Sequence, residues 1–275
     1  MPLSALDLYR DVLPKTNCGR CGFSTCLAFA SMVVSEQFPL ENCPFISAET
    51  VASCREELQA QYAAGKWTKR DMAKDALAWA QQRSASTDIH DLPERIGGRL
   101  VEKDGQTALE LPYFNGFVLI TPGTVTHADG APLNHWEQVF ILNHIAQGGK
   151  VKPTGNWKGL VEFPNTVSKI KSMKSHVEKP LIEAFQGKVG RLVEAAAGLG
   201  GLDKTAEAGS ADAAFYFQAL PRIPLMLMFW DAEPADGFEA EARLLFDETI
   251  TEHLDIESIM FLSERLRQLL CDPPS

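Results

Sequence analysis

Apolar residues recur at helical spacing through CLAFASMVVSEQF, where Leu27, Phe29, Ala30, Val33 and Val34 form one inward stripe. Ser24 or Thr25 can cap that helix, and Pro39 can end it by removing a backbone donor. The helical period continues in ETVASCREELQAQYAAG, with Ser47 as its N-cap and Gly65 near its end. A further helix follows in DMAKDALAWAQQR, opened by the box-like pair Thr68 and Asp71. The run SASTD at 84–88 has linker composition, and the pattern changes behind it. RLVEKDGQTALEL predicts a hairpin turning at Asp104-Gly105, and FNGFVLIT predicts another strand. Helix is expected from about Leu133 to Gln147, stopped by Gly148-Gly149, and again from about Val177 to Ala197. AAFYFQAL and IPLMLMFW predict strands, ARLLFDETI is ambiguous, and IESIMFLSERLRQLL predicts a closing amphipathic helix.

Strands and helices arranged this way predict an α+β fold rather than a regularly alternating α/β one. The expected layout is a small helical cysteine-rich domain at 1–65, a helix and linker at 66–88, and a larger mixed α+β domain at 89–275. A length of 275 residues accommodates one small and one medium domain. The composition, 45% hydrophobic and 23% charged, excludes disordered and fibrous classes. The strongly apolar run Ile223–Trp230 is far shorter than a bilayer span requires. The opening MPLSALDLYRDVLPK lacks the basic and apolar regions of a signal peptide, so the expected compartment is the cytoplasm.

Charge argues against nucleic acid. The formal net charge is −10, and residues 231–275 hold 12 acidic against 3 basic side chains. The one basic segment comprises Lys150, Lys152, Lys158, Lys169, Lys171, Lys174 and Lys179. A solvated face explains it, with docking of an acidic protein or an anionic cofactor tail as the sharper alternative.

The cysteines change the picture most. Cys18, Cys21, Cys26 and Cys43 fall within the first 43 residues, in the spacing C-x2-C-x4-C-x16-C followed by Pro44. In a reducing cytosol metal ligation accounts for such grouping better than disulfides do. Structural zinc sites present two ligand pairs, whereas only one pair occurs here. Three thiols in one loop plus a distant fourth beside proline suit a cubane, whose thiolates each reach a different iron. Gly19 and Gly22 allow tight turns that bring N–H groups near sulfur. Cys26 at a helix N-terminus gains from the dipole, which favours a thiolate. Cys54 and Cys271 are read as ordinary thiols.

The stretch LDLYRDVLPKTNCGRCGFSTCLAFASMVVSEQFPLENCPFIS resembles the four-cysteine [4Fe–4S] domain that begins the large subunit of the corrinoid iron–sulfur protein. That subunit belongs to the acetyl-CoA synthase/CO dehydrogenase pathway, and a related cluster domain occurs in a subunit of the Rnf electron-transport complex. The likeness rests on NCG-x-CG, the T-C-L-A-F-A helix start and the L-x-x-CP return, and spans about residues 3–60. It implies that Cys18, Cys21, Cys26 and Cys43 ligate one [4Fe–4S] cluster. It further implies electron transfer or reductive activation of a redox partner, corrinoid-dependent in the related pathway, and an anaerobic host. The remaining 215 residues are too few for that subunit's barrel and cobalamin domain. Through ALPRIPLMLMFWDAEP, EARLLFDETITEHL and the closing amphipathic helix, the chain from about Leu92 onward resembles an uncharacterised family often found behind such cluster domains in anaerobic bacteria and archaea. That likeness brings no activity with it.

Catalytic signals in the second domain are weak. His135 and His144 lie nine apart, on opposite faces of a helix, and do not form a ligand pair. Asp88-Ile89-His90 is followed by Pro93 where cobalamin-binding loops of the form D-x-H-x-x-G carry glycine. Asp231 and Glu233 read as a solvated turn, and Trp136, Trp157 and Trp230 as packing. No G-x-G-x-x-G or Walker-type loop is present. Two functional classes therefore stand: an electron-transfer or activation protein, and a cluster-dependent enzyme, reductase or methyltransferase-like, with a cofactor or substrate pocket in the C-terminal domain. A structural or redox-sensing cluster is a weaker third.

Overall fold

The computed structural model describes residues 3–65, 72–121, 124–233 and 235–272. The chain forms two compact units, Met1–Asp75 and Ala76–Ser275. In the first, Ser4 and Asp7 make a reciprocal capping box that starts the short α1 (Ala5–Asp7), which runs into a π turn at Leu8–Val12. Helix α2 (Cys26–Glu36) buries Phe29, Ala30, Val33 and Val34 against Leu8, Leu13, Leu40 and Leu58. Phe29 is 1% exposed, and burying such a ring contributes about 2–3 kcal/mol. Leu27, expected in the same stripe, is instead exposed, because it sits in the first turn on the stripe's flank. The helix ends at Gln37 rather than at Pro39. Gln37 adopts a left-handed conformation (φ 56°), and Phe38 N–H reaches back to the Met32 carbonyl, a termination that requires no proline. Helix α3 (Ala48–Ala63) is capped by Ser47, whose hydroxyl accepts from Thr50 N–H. Tyr62 ties it to α2 by donating to the Val33 and Val34 carbonyls at 2.7 and 3.0 Å.

Helix α4 (Met72–Ser84) follows, with the division between units inside it. The expected Thr68–Asp71 box lies outside the described residues. After α5 (Leu92–Ile96), an antiparallel meander runs β1 (Arg99–Lys103), β2 (Gln106–Tyr113), β3 (Gly116–Thr121) and β4 (Thr124–His127). Asp104 and Gly105, both at positive φ, make the β1–β2 turn the sequence predicts. Helix α6 (His135–Gln147) starts in a capping box between Asn134 and Glu137.

The second sheet takes the order β5 (Trp157–Gly159), β9 (Glu241–Asp247), β8 (Ile223–Trp230), β7 (Ala213–Leu220), β6 (Leu202–Asp203), antiparallel throughout. Its central register sets Leu227 opposite Phe215 on one side and Leu244 on the other, all buried. The ambiguous ARLLFDETI is resolved as strand as far as Asp247, where β9 supplies one neighbour of β8, and its end turns into a 3-10 helix at Ile250–Glu252. The helical region expected over about Val177–Ala197 is present, begins earlier and is divided. It comprises α7 (Val167–Met173), a π turn at Lys174–Glu178, α8 (Lys179–Phe185) and α9 (Val189–Gly198), with Gly187 at φ 70° breaking the last two apart. Helix α10 (Ile256–Cys271) packs on α6 and α8 and closes the core of this unit. The protein is thus α+β, a helical N-terminal region followed by a larger mixed unit. Among the described residues no helix is long and apolar enough to cross a membrane.

Candidate metal centre

The cysteine loop is shaped by residues that tolerate unusual backbone. Asn17 sits in the left-handed region (φ 50°), which asparagine accepts more readily than most residues, and so does Lys15 (φ 59°). From there Asn17 Oδ1 accepts a 2.8 Å hydrogen bond from the Cys26 N–H, satisfying a donor at the start of α2. Gly19 (φ 72°) and Gly22 (φ 90°) turn the chain between them, closed by Gly22 N–H to the Gly19 carbonyl at 3.0 Å. Thr25, one of the two expected caps, accepts from Ala28 N–H, which leaves Cys26 as the first residue of α2. On the return, a 3-10 turn at Leu40–Asn42 delivers Cys43 in the extended conformation that Pro44 imposes on its predecessor.

These turns bring all four cysteines to one small hollow, shared with Pro14, Asn17, Gly19, Phe23, Phe29 and Pro44. All four thiols are free. Cys26 and Cys43 are buried, Cys21 is half-buried and Cys18 is exposed. Burial pushes the Cys43 thiol up, partly opposed by the Phe45 backbone N–H, and nearby charge on Cys21, Cys26 and Cys18 raises it further. Cys18 is shifted the other way, chiefly by the Arg20 backbone N–H and then by the Thr16 hydroxyl, both directed at its sulfur. Among the described residues no three His, Cys, Asp or Glu side chains converge as one metal ion would require. Thr16 and Asn17 were not singled out from sequence. Their signal was the TN dipeptide directly before the first cysteine, where a short polar side chain can bond locally.

The other candidates are dispersed. Cys54 lies mid-helix in α3, buried, its thiol raised by burial. Cys271 ends α10, pushed up to about 11 by burial. Asp88 accepts from His90 N–H and caps a 3-10 turn at Ile89–Asp91. The Asp231 carboxylate receives Gly187 N–H at 2.8 Å, and Glu233 forms an isolated bridge with Phe238. Trp136 stacks on Phe261 at 4.3 Å, Trp157 meets Tyr216 edge-on, and Trp230 donates to the Ser210 hydroxyl. Four of the seven lysines in the basic segment are paired with carboxylates: Lys150 with Glu94, Lys158 with Glu248, Lys169 with Glu257 and Lys179 with Glu183.

Comparison with known proteins separates the same two regions. Residues 13–45 match the family described as "Putative Fe-S cluster", and residues 88–269 match "Domain of unknown function (DUF3786)". Over 47 residues the chain is 51% identical to the corrinoid/iron-sulfur protein large subunit of Moorella thermoacetica, covering 17% of this chain and 10% of that protein. Over 49 residues it is 43% identical to the acetyl-CoA decarbonylase/synthase complex subunit gamma of Methanothermobacter thermautotrophicus, covering 18% of this chain and 10% of that subunit. A longer alignment, 27% identical over 136 residues, joins half of this chain to 25% of the corresponding subunit gamma 2 of Methanosarcina thermophila. The chain therefore spans about a tenth of the length of the first two relatives. No solved structure matches it significantly.

Proposed function

The chain belongs to the DUF3786 family, whose domain has no assigned function, and we propose a role for it from the four-thiol loop that precedes that domain. Cys18, Cys21, Cys26 and Cys43 hold one [4Fe–4S] cluster, through which the protein passes electrons to, or reductively activates, a partner protein in anaerobic metabolism. The partner is a redox protein, corrinoid-dependent by analogy with the relatives named above, and the compartment is the cytoplasm. The observation that carries this reading is that all four cysteines line one hollow at the N-terminus of α2.

The residues fit a cluster better than a single zinc ion. Structural zinc sites present two close ligand pairs, whereas the four cysteines that share this hollow include only one such pair, a spacing that suits a cluster. The Arg20 and Phe45 N–H groups and the Thr16 hydroxyl aimed at sulfur are the donors that tune a cluster's potential. Phe23 and Phe29 give the buried side of the hollow an apolar wall, which keeps water from the inner sulfurs. When bound, the cluster supplies one-electron redox chemistry. The chain's own contribution is to hold the thiolates, shield Cys26 and Cys43, and leave Cys18 at the surface where electrons enter and leave.

A second reading draws on a cavity of about 350 Å³ in the C-terminal unit, lined by Gln81, Ser84, Thr87, Asp88, Ile89, Leu92, Ile120, Leu142 and Ile145. Its size and mixed lining suit a small cofactor or substrate, which would make the whole chain a cluster-dependent enzyme. Anaerobic purification with iron and sulfide analysis, EPR of the dithionite-reduced protein and an absorption scan separates the two. About four irons per chain with the cluster's spectrum alone supports the carrier. A second chromophore supports the enzyme, and protein that holds no iron after anaerobic reconstitution overturns both.

A further inference from the structure

A second cavity of the C-terminal unit has no part in either reading above. It measures about 320 Å³, at the small end of the roughly 300–1,000 Å³ that ligand sites occupy, and lies between the 3-10 turn Leu160–Glu162, α7, the π turn that follows it and β9. Leu160, Ile170, Met173 and Leu244 give it an apolar lining. Lys174 and Glu178, the first and last residues of the π turn, line it together with Glu241 and Arg243 of β9. Single π turns within helices occur frequently at functional sites.

Glu178 is the least satisfied of these groups. Its carboxylate is half-buried and, among the described residues, takes no hydrogen bond or ion pair, not even from Lys174 four positions earlier. Burial raises it above its ordinary value; Lys174 opposes that, Glu241 adds to it and Arg243 opposes it again, so three charges act on the one acid. Glu241 is itself held by Arg243 at 2.6 Å, and Glu162, the remaining acid of the lining, is turned onto the Gly159 N–H at 2.7 Å. The cavity therefore leaves open one carboxylate and one ammonium, Glu178 and Lys174, beside a Glu241–Arg243 pair. An acid shifted by burial and by specific neighbouring charges at the wall of a cavity marks a candidate binding site.

We propose that this cavity binds a small zwitterion with an apolar body, the chemistry of a free α-amino acid with an aliphatic side chain. The ligand's ammonium meets Glu178, its carboxylate meets Lys174, and its side chain covers the apolar lining. A lone amine gains Glu178 but sits beside Lys174 and Arg243, and a lone carboxylate gains Lys174 but sits beside Glu178 and Glu241. A molecule carrying both signs meets opposite charge at both ends. This assignment does not depend on the cluster.

The test titrates the anaerobically purified full chain, its iron content recorded, with three molecules of one skeleton. These are L-leucine, L-leucinamide, which lacks the carboxylate, and N-acetyl-L-leucine, which lacks the ammonium. Calorimetry on the parent is expected to show L-leucine bound about tenfold or more tightly than either analogue, the discrimination that one charge-assisted contact supplies. Amide shifts on binding are expected at Met173, Glu178 and Leu244. Glu178→Gln, which keeps the size of the side chain, should abolish the preference over N-acetyl-L-leucine, and Lys174→Met the preference over L-leucinamide. Three equal affinities in the parent, or no L-leucine bound at about 10 mM, overturn the proposal. Tighter binding of L-leucinamide makes the occupant a lone amine, such as the N-terminus of a peptide, and tighter binding of N-acetyl-L-leucine makes it a lone carboxylate; either result also overturns it. So does parent selectivity retained in both variants. The ranking in the parent decides the matter even where a variant fails to fold. Protein that holds no iron yet ranks the three molecules as expected overturns the cluster reading and leaves this site standing.

Discussion

The phenol of Tyr113 on β2 donates a 2.8 Å hydrogen bond to Glu137 Oε1, a carboxylate oxygen only 1% of whose residue surface reaches solvent. The same oxygen receives Arg265 Nε–H from α10 at 2.7 Å, while Oε2 accepts the Asn134 N–H in the capping box of α6. One buried carboxylate thereby joins sheet, α6 and α10. Burial raises the Tyr113 phenol well above its ordinary value, and the neighbouring Glu137 charge adds to that, so it remains a donor at all ordinary pH. Removing Arg265 leaves the carboxylate buried without its counter-charge, so Arg265→Met should cost about 3 kcal/mol or more. Tyr113→Phe removes one hydrogen bond among several and should cost about 1 kcal/mol. Urea unfolding of both variants and of the double variant should show a coupling of at least about 0.5 kcal/mol. Equal losses for the two single variants would contradict this ranking.

A pair of buried histidines gives the C-terminal unit an acid-sensitive point. His144 on α6 and His253 are fully buried with rings 5.6 Å apart, the His144 Nδ1 lying 3.3 Å from the His253 carbonyl and the His253 Nε2 3.0 Å from the Val151 carbonyl. Burial, then the adjacent His253, hold the His144 imidazole down to about 3, with Arg95 and Arg222 adding to it. Burial lowers His253 as well, against the Val151 carbonyl, which favours its charged form. The unfolded imidazoles, near their ordinary value of 6.5, bind protons that the folded ones refuse. Stability is therefore full above about pH 6.5 and falls toward pH 3, by up to about 1.4 kcal/mol per pH unit for His144, with His253 acting in the same direction. The urea midpoint of the C-terminal unit should drop between pH 7 and pH 5, and His144→Gln should flatten that slope. A pH-independent midpoint would sink the assignment.

The contrast between these networks and the cysteine loop shows what a sequence makes legible. Four thiols within 43 residues are visible because their grouping is local, held in one short stretch of chain. The Asp104-Gly105 turn and the β7–β8 hairpin are equally local, written in positive-φ residues and unbroken apolar runs. Glu137 and Arg265 stand 128 positions apart, and each alone reads as a surface charge on an amphipathic helix. His144 and His253 are 109 apart, and nothing near either announces the other. The short edge strands β5 and β6, three and two residues long, carry too little period to be seen. Gln37 is not legible as the stop of α2, because a left-handed glutamine leaves no compositional mark, whereas Pro39 two residues later leaves a strong one.

Asn17 should matter more than a residue that is not itself a thiol. Its side chain caps the Cys26 N–H, and its backbone holds a conformation that costs most residues about 1–2 kcal/mol. Asn17→Ala loses both advantages and should lower the iron retained after desalting. Asn17→Gly keeps the backbone and loses only the cap, so it should fall between parent and alanine. Iron content measured across the three proteins tests this order, and an alanine variant with full iron would remove Asn17 from the account.

The sharpest test of the ligand assignment sets two buried thiols against each other. Cys26 and Cys54 are 6% and 8% exposed, each sits on a helix, and burial alone does not distinguish them. Cys26 lines the hollow with the other three thiols; Cys54 sits mid-helix in α3, and its thiol is raised by burial and by the negative charge of Glu57. Serine keeps the size of cysteine but replaces a soft sulfur ligand with a hard oxygen, which iron–sulfur clusters accept poorly. Cys26→Ser should therefore leave a three-iron cluster or none, read in the EPR spectrum and the iron-to-protein ratio. Cys54→Ser should leave both unchanged, at a stability cost of about 1–2 kcal/mol for a hydroxyl placed in an apolar site. A four-iron signal that survives in the Cys26 variant and vanishes in the Cys54 variant would move the cluster's fourth thiolate from the α2 terminus to α3.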